Sequence, residues 1–198
     1  MTTEPAGPIS LRERQKAQTR EHLLDVAAQL IGERGYNDTT MDDIARAAGS
    51  SRATVYAYFA TKDDILRTLA IEMWESTEGL YRDFAALGEW TPAAIRGWLE
   101  GVAAAWDRSI DRIRAVVLSQ GRELGQDYLH YHRGYVRTLT ADEAKWRRFP
   151  APEAEVRAHL LITQLETFLG NWYIRGWDVD RTVALDTLTD VWCQTLKV

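Results

Sequence analysis

The sequence predicts an all-α protein, and three observations support this prediction. From Leu11 onward, apolar residues recur at the three- and four-residue spacing of one helix face, as they do at Leu23, Ala27 and Leu30. No stretch alternates apolar and polar residues for long enough to form a sheet. Glycines, prolines and hydroxyl side chains separate the helical segments at positions where helices usually begin or end.

The first four helices each have a residue that can begin or end them. Hydroxyl side chains that can accept a hydrogen bond from a helix-start amide predict N-caps at Thr40, at Ser50 or Ser51, and at Thr61. Glycines that tolerate a positive φ predict helix ends at Gly35 and Gly49. Between these signals we expect short helices over residues 41–48 and 51–58.

The spacing of the second and third helices is that of a helix-turn-helix. Three helices fit into fewer than fifty residues, and the last two are joined by Ala48, Gly49, Ser50 and Ser51. Ile44 and Val55 are branched and can pack where these helices cross. A three-helix packing unit without a DNA-binding role would show the same periodicity, so the pattern alone leaves both interpretations open.

The remainder of the chain is also predicted to be helical. The expected helices cover residues 62–86, 91–108, 110–124, 126–148, 153–175 and 179–197. Residues 1–10 are small, polar and interrupted by two prolines, which is typical of a disordered tail. The expected organisation is this tail, a helix-turn-helix domain over residues 11–61, and a larger helical domain over residues 62–198.

Composition places the chain among ordinary globular proteins. Of its 198 residues, 45% are hydrophobic and 27% are charged. Its apolar runs are too short to span a membrane, and its first ten residues lack the apolar segment of a secretion signal. We therefore expect a soluble, cytoplasmic protein.

Charge is distributed unevenly along the chain. The net charge of −5 by itself argues against a nucleic-acid partner. Residues 1–62, however, hold 8 Lys/Arg and 8 Asp/Glu, so the whole net charge of −5 lies in residues 63–198. Near the start, Arg12, Arg14, Lys16 and Arg20 are opposed only by Glu13. A basic arm, a neutral head and an acidic body are compatible with DNA binding through the head.

No group of residues indicates catalysis, a cofactor or a metal site. The sequence has no Gly-rich phosphate loop, nucleophile elbow or HExxH motif. The single cysteine, Cys193, is expected to be a small buried hydrophobic residue. His130 and His132 point to different faces of a helix, so we expect them on the surface and not as metal ligands. The expectation is that the protein is not an enzyme.

Several runs of sequence resemble the DNA-binding head of tetracycline-repressor (TetR) family regulators. Residues 23–31 and 33–36 resemble its first helix, 39–45 its second, 48–59 its turn and recognition helix, and 61–66 the start of its fourth helix. The resemblance continues without a gap over about residues 14–72, and afterwards concerns only size and helix count. Ser50 stands where the family usually has a branched apolar residue, and Ala53 where it often has glycine.

The resemblance implies that this head binds duplex DNA. The expected DNA contacts are Thr40, Ser51, Arg52, Ala53, Thr54, Tyr56, Tyr58 and Lys62. Arg52 can pair with a phosphate or with guanine, and the Tyr56 hydroxyl can reach a phosphate. Phe59 is expected in the core. Tyr58 could equally be a core aromatic residue or a DNA contact, and the resemblance favours a contact with the DNA backbone. Lys62, at the start of the fourth helix, is expected to contact a phosphate, and a solvated surface lysine is the alternative.

Eight tryptophans, all outside the head, dominate the predicted body. They can fill a core, or they can line an apolar cavity and offer indole N–H donors to a guest. For any single tryptophan the core is the better interpretation, while the resemblance to ligand-sensing regulators favours a pocket for the group. The expected ligand contacts are Trp74, Trp98, Trp106, Tyr128, Trp146 and Trp172.

The last two predicted helices carry broad apolar stripes that suggest a partner surface. The family resemblance implies a four-helix dimer interface formed by two such helix pairs, and a simple monomer core is the alternative. The expected interface residues are Ala158, Leu161, Leu165, Phe168, Trp172, Leu188 and Trp192.

The leading interpretation is a homodimeric repressor that leaves its double-stranded DNA operator when a small apolar or aromatic effector binds in the body. An activator or a ligand-independent regulator of the same fold is the alternative within regulation. A helical enzyme or carrier with a head that binds no DNA is the alternative from another class. No membrane partner is expected.

Overall fold

The computed structural model describes residues 10–119 and 124–198, and within these residues the chain is all-helical. The helices are α1 (Leu11–Arg34), α2 (Met41–Ala47), α3 (Arg52–Tyr58), α4 (Lys62–Ala85), α5 (Pro92–Leu118), α6 (Gly125–Leu139), α7 (Glu143–Trp146), α8 (Ala151–Tyr173) and α9 (Arg181–Leu196). The prediction of an all-α fold is confirmed. None of the described helices is long and apolar enough to cross a membrane.

Hydroxyl side chains begin the first four helices. Thr40 and Thr61 each form a capping box with the aspartate three residues later, as their spacing predicts. Of the two candidates before α3, Ser51 is the N-cap. Ser10, which the sequence analysis assigned to the tail, instead caps α1 in a box with Glu13. The rest of the predicted tail, residues 1–9, lies outside the described residues.

The head is a small helical core completed by the start of α4. Side chains from all four helices are fully buried in it: Leu23, Leu24, Ile31, Ile44, Val55 and Ile65. Gly49, between α2 and α3, has a φ of +61°. Residues with a side chain rarely adopt this conformation, so glycine permits the tight connection. The α2–α3 pair is therefore a helix-turn-helix.

Aromatic side chains hold the body together where α4, α5 and α9 meet. The Trp98 ring centroid lies 4.8 Å from that of Phe84 and 4.7 Å from that of Trp192. All three side chains are buried. On the other side of α4, the Tyr135 hydroxyl of α6 donates a hydrogen bond to the Trp74 carbonyl at 3.0 Å. Burial of such large rings is a major source of the body's stability.

Helices α8 and α9 form an antiparallel hairpin that hydrogen bonds stabilise near both ends. Near the start of α8, Arg157 donates a hydrogen bond to the carbonyl of Thr195, near the end of α9. At the other end, Arg181 of α9 donates to the Tyr173 hydroxyl at 3.2 Å and to Asp107 of α5 at 3.0 Å. The hairpin is thus joined to α5 as well as within itself.

Two predicted boundaries in the body differ from the structure. The predicted break between residues 108 and 110 is a kink inside α5, where Ser109 has non-helical φ and ψ of −117° and 16°. The predicted helix over 126–148 is two helices, because Asp142 caps α7 by accepting hydrogen bonds from the amides of Ala144 and Lys145. The Asp-Glu pair at 142–143 was the local signal for this second start, and the helical spacing of the apolar residues across it concealed the break.

Candidate functional site

Helix α3 presents one face to solvent and buries the other. Val55 is fully buried, whereas Arg52, Ala53 and Tyr56 are exposed. The Ser51 hydroxyl accepts a hydrogen bond from the Thr54 amide at 3.0 Å and lies 2.8 Å from the Thr54 hydroxyl. The cap therefore fixes the start of α3, and the arrangement leaves a short exposed helix face of the kind that fits a DNA major groove.

Arg52 forms an ion pair with Asp42 of α2, with 2.6 Å between Nε and Oδ1. The side chains are 69% and 40% exposed, so water screens the pair and its net contribution to stability is small. An arginine held this weakly can exchange its carboxylate for a phosphate or a base edge at little cost.

The N-cap residue of α2, Thr40, is hydrogen-bonded within its own helix. The Thr40 hydroxyl donates to Asp43 Oδ2 at 2.5 Å and accepts from the Asp43 amide at 3.2 Å. Hydrogen bonds from the Thr40 side chain and backbone hold the pKa of Asp43 below its usual value. In the free protein the Thr40 hydroxyl is therefore engaged, and a phosphate contact by this residue stays a prediction.

Lys62 is held by the loop between α1 and α2. Its ammonium donates hydrogen bonds to the carbonyls of Tyr36 and, at 2.6 Å, of Thr39. It also lies 4.0 Å from the centroid of the Tyr36 ring. An ammonium has three N–H donors, so at most one is left for a phosphate. Tyr58 is half-buried against the head core, and Phe59 is buried as predicted.

The predicted basic arm is divided between solvent and the body. Arg12, Arg14 and Lys16 are exposed on the first turns of α1. Arg20 is not free, because its guanidinium forms ion pairs with Glu21 and, at 3.0 Å, with Glu72 of α4.

A cavity of about 270 Å³ lies in the body between α4, α5, α6 and α8. Four of the six predicted ligand contacts line it: Trp74, Trp98, Trp106 and Tyr128. The other two do not. Trp146 packs against Trp90 and Phe149 and donates its indole hydrogen to the Leu139 carbonyl at 2.8 Å. Trp172 lies outside the lining and packs on Phe168.

Glu166 is a wall residue that the sequence analysis missed. The Tyr128 hydroxyl donates a hydrogen bond to its carboxylate at 2.8 Å. Burial raises the pKa of Glu166 to about 7, although the Tyr128 hydrogen bond opposes this shift. The signal for this residue was a carboxylate in the apolar stripe of α8, four residues after Ile162 and three before Leu169.

Ion pairs join the head to the body beside this cavity. Arg112, on α5 beyond the kink, lies 2.8 Å from Glu21 and 2.7 Å from Asp25, both on α1. It also lies 3.0 Å from Glu72 on α4. We call Arg112, Arg20, Glu21, Asp25 and Glu72 the junction cluster. Glu72 directly precedes the cavity residue Met73, and Arg112 directly precedes Ile113, so the junction and the cavity wall share two helices.

Five of the seven predicted dimer contacts are buried within one chain. The side chains in question are buried within one chain, with exposures of 0–2%: Ala158, Leu161, Leu165, Leu188 and Trp192. A side chain already buried in its own chain cannot form the main contact with a second copy. Of the seven predicted residues, only Phe168 and Trp172 are half-exposed.

A different set of apolar side chains lies on the outer side of the α8–α9 hairpin. Val156 and Leu160 of α8 are 57% and 61% exposed, and Val183 and Val191 of α9 are 57% and 36% exposed. We call these four residues the outer apolar face. None of these four residues is among the seven predicted interface residues.

The predicted histidines and cysteine also lie in defined places. His130 is exposed, but His132 is buried and stacks on His159 with 5.2 Å between ring centroids, which corrects its predicted surface position. Cys193 is buried. Among the described residues, no three His, Cys, Asp or Glu side chains are grouped as metal ligands would be.

Comparison with known proteins identifies the head. Residues 23–69 match the family of bacterial regulatory proteins described as the tetR family. The transcriptional regulator AcrR of Shigella flexneri is 40% identical over 71 residues, which are 35% of this chain and 31% of the relative. The transcriptional repressor KstR2 of Rhodococcus jostii is 36% identical over 88 residues, 44% of this chain and 41% of the relative. The chain thus matches less than half the length of these curated relatives.

The whole fold also has relatives among solved structures. The TetR-family regulator PfmR of Thermus thermophilus superposes with a TM-score of 0.68 and 18% identity, over 88% of this chain and 97% of that one. Both this chain and that regulator combine a helical head with a larger helical body. Residues 23–69 are thus similar to the tetR family, and the overall fold is similar to that of a TetR-family regulator.

The raised pKa of Glu166 predicts a pH-dependent stability. The folded state binds the Glu166 proton more tightly than the unfolded chain does. The stabilisation that protonation provides is therefore complete below the ordinary pKa and is lost as pH rises through about 7. The free energy of unfolding of the wild type, minus that of Glu166→Gln, should therefore fall between pH 5 and pH 8 in urea titrations. Glu155→Gln, an exposed carboxylate on the same helix, should show no such trend. A flat difference for Glu166 would contradict the assignment.

Proposed function

We propose that this protein is a homodimeric transcriptional repressor that binds a double-stranded DNA operator and is released from it by a small effector molecule. The exposed face of α3 carries this proposal, because its side chains lie at the surface while Val55 packs the other side of the helix into the head core. The name of one relative, the transcriptional repressor KstR2, supports repression as the sign of regulation.

DNA binding would use both the exposed arginines and the helix starts. We infer that Arg52 leaves Asp42 to contact a base or phosphate, and that Tyr56 contacts the backbone. Ser51, Ala53 and Thr54 are inferred to lie against the groove floor or edge. Thr40, Tyr58 and Lys62 would contact the DNA backbone. Lys62 would use the one N–H donor that its bonds to Tyr36 and Thr39 leave. The exposed cations of α1, from Arg12 to Lys16, add a second phosphate-binding surface.

A dimer is inferred because a head of this size usually reads two half-sites through a pair of recognition helices. The outer apolar face is the surface we propose for this contact. Four exposed aliphatic side chains on two adjacent helices leave apolar area in water that a second copy could cover. Phe168 and Trp172 lie on α8 and would extend the contact.

Effector release is inferred from the position of the junction cluster. A ligand that fits the cavity only when α4 or α5 shifts would move Glu72 and Arg112 with the cavity wall. In a dimer, such a shift changes the spacing of the two recognition helices while each head stays intact. The ligand must bind the released state more tightly than the DNA-bound state, because only this difference in affinity shifts the equilibrium.

The DNA-binding proposal predicts the effect of two head variants. Selection from a random duplex library should recover a short, roughly palindromic site. Arg52→Ala should weaken binding to it by about 1–3 kcal/mol, and Tyr56→Phe should weaken it as well. Fluorescence anisotropy measures both, and the affinity should fall steeply with added salt. Arg133→Ala, an exposed arginine on α6, is the matched control. Recovery of no enriched site would refute the proposal.

The dimer proposal predicts that Leu160→Asp yields a folded monomer. A charge in an apolar interface costs on the order of several kcal/mol, while Leu160 contributes little to the fold of one chain because it is 61% exposed. Sedimentation velocity should show the monomer, with helical circular dichroism unchanged and operator binding lost. Leu118→Asp, at a comparably exposed leucine of α5, should stay dimeric. A dimeric Leu160→Asp would assign the interface to another surface.

The coupling proposal predicts a specific defect for Arg112→Gln. A compound that binds the cavity should lower operator affinity of the wild type by roughly 5–150-fold at saturation. In Arg112→Gln the compound should bind as before, measured by tryptophan fluorescence, but change operator affinity less. Arg96→Gln removes an α5 arginine that pairs with Asp186 of α9, far from the head, and should keep the wild-type response. Equal responses in all three proteins would exclude the junction cluster as the link.

A further inference from the structure

The cavity contains one carboxylate without a cationic partner. Among its lining residues, the charged side chains are Glu166 and Arg175. Arg175 is exposed, and its guanidinium hydrogen-bonds to the Asn171 side chain at 2.9 Å. No Lys, Arg or His among the described residues forms an ion pair with Glu166. Its one hydrogen-bond partner there is the Tyr128 hydroxyl.

The walls around this carboxylate are aromatic. Five rings line the cavity: Trp74, Tyr81, Trp98, Trp106 and Tyr128. The faces of aromatic rings carry partial negative charge and attract cations, most strongly where water is excluded. A carboxylate and five aromatic rings around one small space therefore offer a positively charged group a counter-charge and polarisable surroundings.

We propose that the cavity binds an organic cation with an apolar or aromatic body, and that Glu166 is its counter-charge. This rests on the proposed function of the cavity as the effector site and names the chemical class of the effector. The rings would enclose the body and the charged group, and Glu166 would determine which end of the ligand points towards α8. The volume of about 270 Å³ suits a small molecule.

Ligands of other charge fit the site less well on electrostatic grounds. A neutral ligand that fills the cavity removes water from Glu166 and supplies no compensating charge, so it favours the protonated carboxyl and is disfavoured at a pH where Glu166 is ionised. An anionic ligand would add repulsion, and would have to reach Arg175 at the exposed end. A cationic ligand compensates the negative charge of the buried carboxylate.

The groups that face Glu166 determine how binding depends on pH. They are Tyr81 from α4, Tyr128 and Tyr135 from α6, and Arg175 beyond the end of α8; α5 contributes only apolar lining. His132 lies beside Tyr128, with 5.6 Å between ring centroids, and burial lowers its pKa. The tyrosines remain neutral below pH 8. A cation binds the ionised form of Glu166, so its affinity should rise as pH increases from 6 to 8.

The test uses a matched pair of probes and isothermal titration calorimetry on the 198-residue chain. (3-Hydroxyphenyl)trimethylammonium is a cation, and 3-tert-butylphenol is its neutral counterpart of nearly the same shape. At pH 8 the wild type should bind the cation about tenfold more tightly than the neutral probe. This preference should shrink at pH 6. In Glu166→Gln it should be lost at both pH values, while Glu155→Gln should behave as the wild type.

Tyr128→Phe is a second variant, which keeps the aromatic ring in the cavity wall and removes only the hydroxyl. It removes the hydrogen bond that favours the ionised carboxylate, so cation binding should weaken at pH 7 and recover at pH 8.5. Equal affinity for the two probes at pH 8, or a preference for the cation that survives in Glu166→Gln, would overturn the proposal. Tighter binding of 4-phenylbutyrate than of the cation would also overturn it and would assign the ligand charge to Arg175.

Operator binding in the presence of each probe separates this proposal from the proposed function. A cation that binds through Glu166 and leaves operator affinity unchanged supports charge selection and overturns effector release. Release of the operator by both probes, bound with equal affinity, supports effector release and overturns charge selection.

Discussion

The burial of one face of α4 is the constraint on which the rest of the structure depends. This helix belongs to both halves of the molecule. Its first turns bury Ile65, Leu66 and Leu69 in the head, and its later turns bury Trp74, Tyr81 and Phe84 in the body. An α-helix of 24 residues is about 36 Å long and close to rigid. A displacement of its body end therefore displaces its head end, and neither half can repack independently of the other.

The junction cluster suits a switch because its ion pairs are partly exposed. The side chain of Arg112 is 26% exposed, and its acidic partners are between 32% and 62% exposed. Each such pair contributes little net free energy, so the pairs can exchange partners between two states at small cost. The aromatic contacts of Trp98 with Phe84 and Trp192 are buried and much harder to rearrange. The body thus combines a fixed core with a junction that can be rearranged.

Local signals predicted the head more accurately than the body. The caps at Thr40, Ser51 and Thr61 and the positive φ at Gly49 depend on residues within a few positions of one another. The body contains eight tryptophans, and the sequence does not show which of them line the cavity. Trp146 was expected there but is buried among other rings. That distinction depends on contacts between helices distant in the sequence. Glu166 was missed for a related reason, since an isolated carboxylate on an apolar stripe looks like an interruption of the pattern.

By itself, the sequence determined the all-α class, the helix-turn-helix with its caps, and the apolar character of α8 and α9. Apolar periodicity and capping are properties of a single helix, so the sequence of that helix shows them without knowledge of the helices packed against it. Only the tertiary structure decided that Leu161 and Leu165 are buried within the chain while Leu160 is left on the outer face. It also decided that Glu166 meets Tyr128 across a cavity. A helix that is apolar on two sides does not specify which side faces its own core, because that depends on how α4, α5 and α6 have already packed.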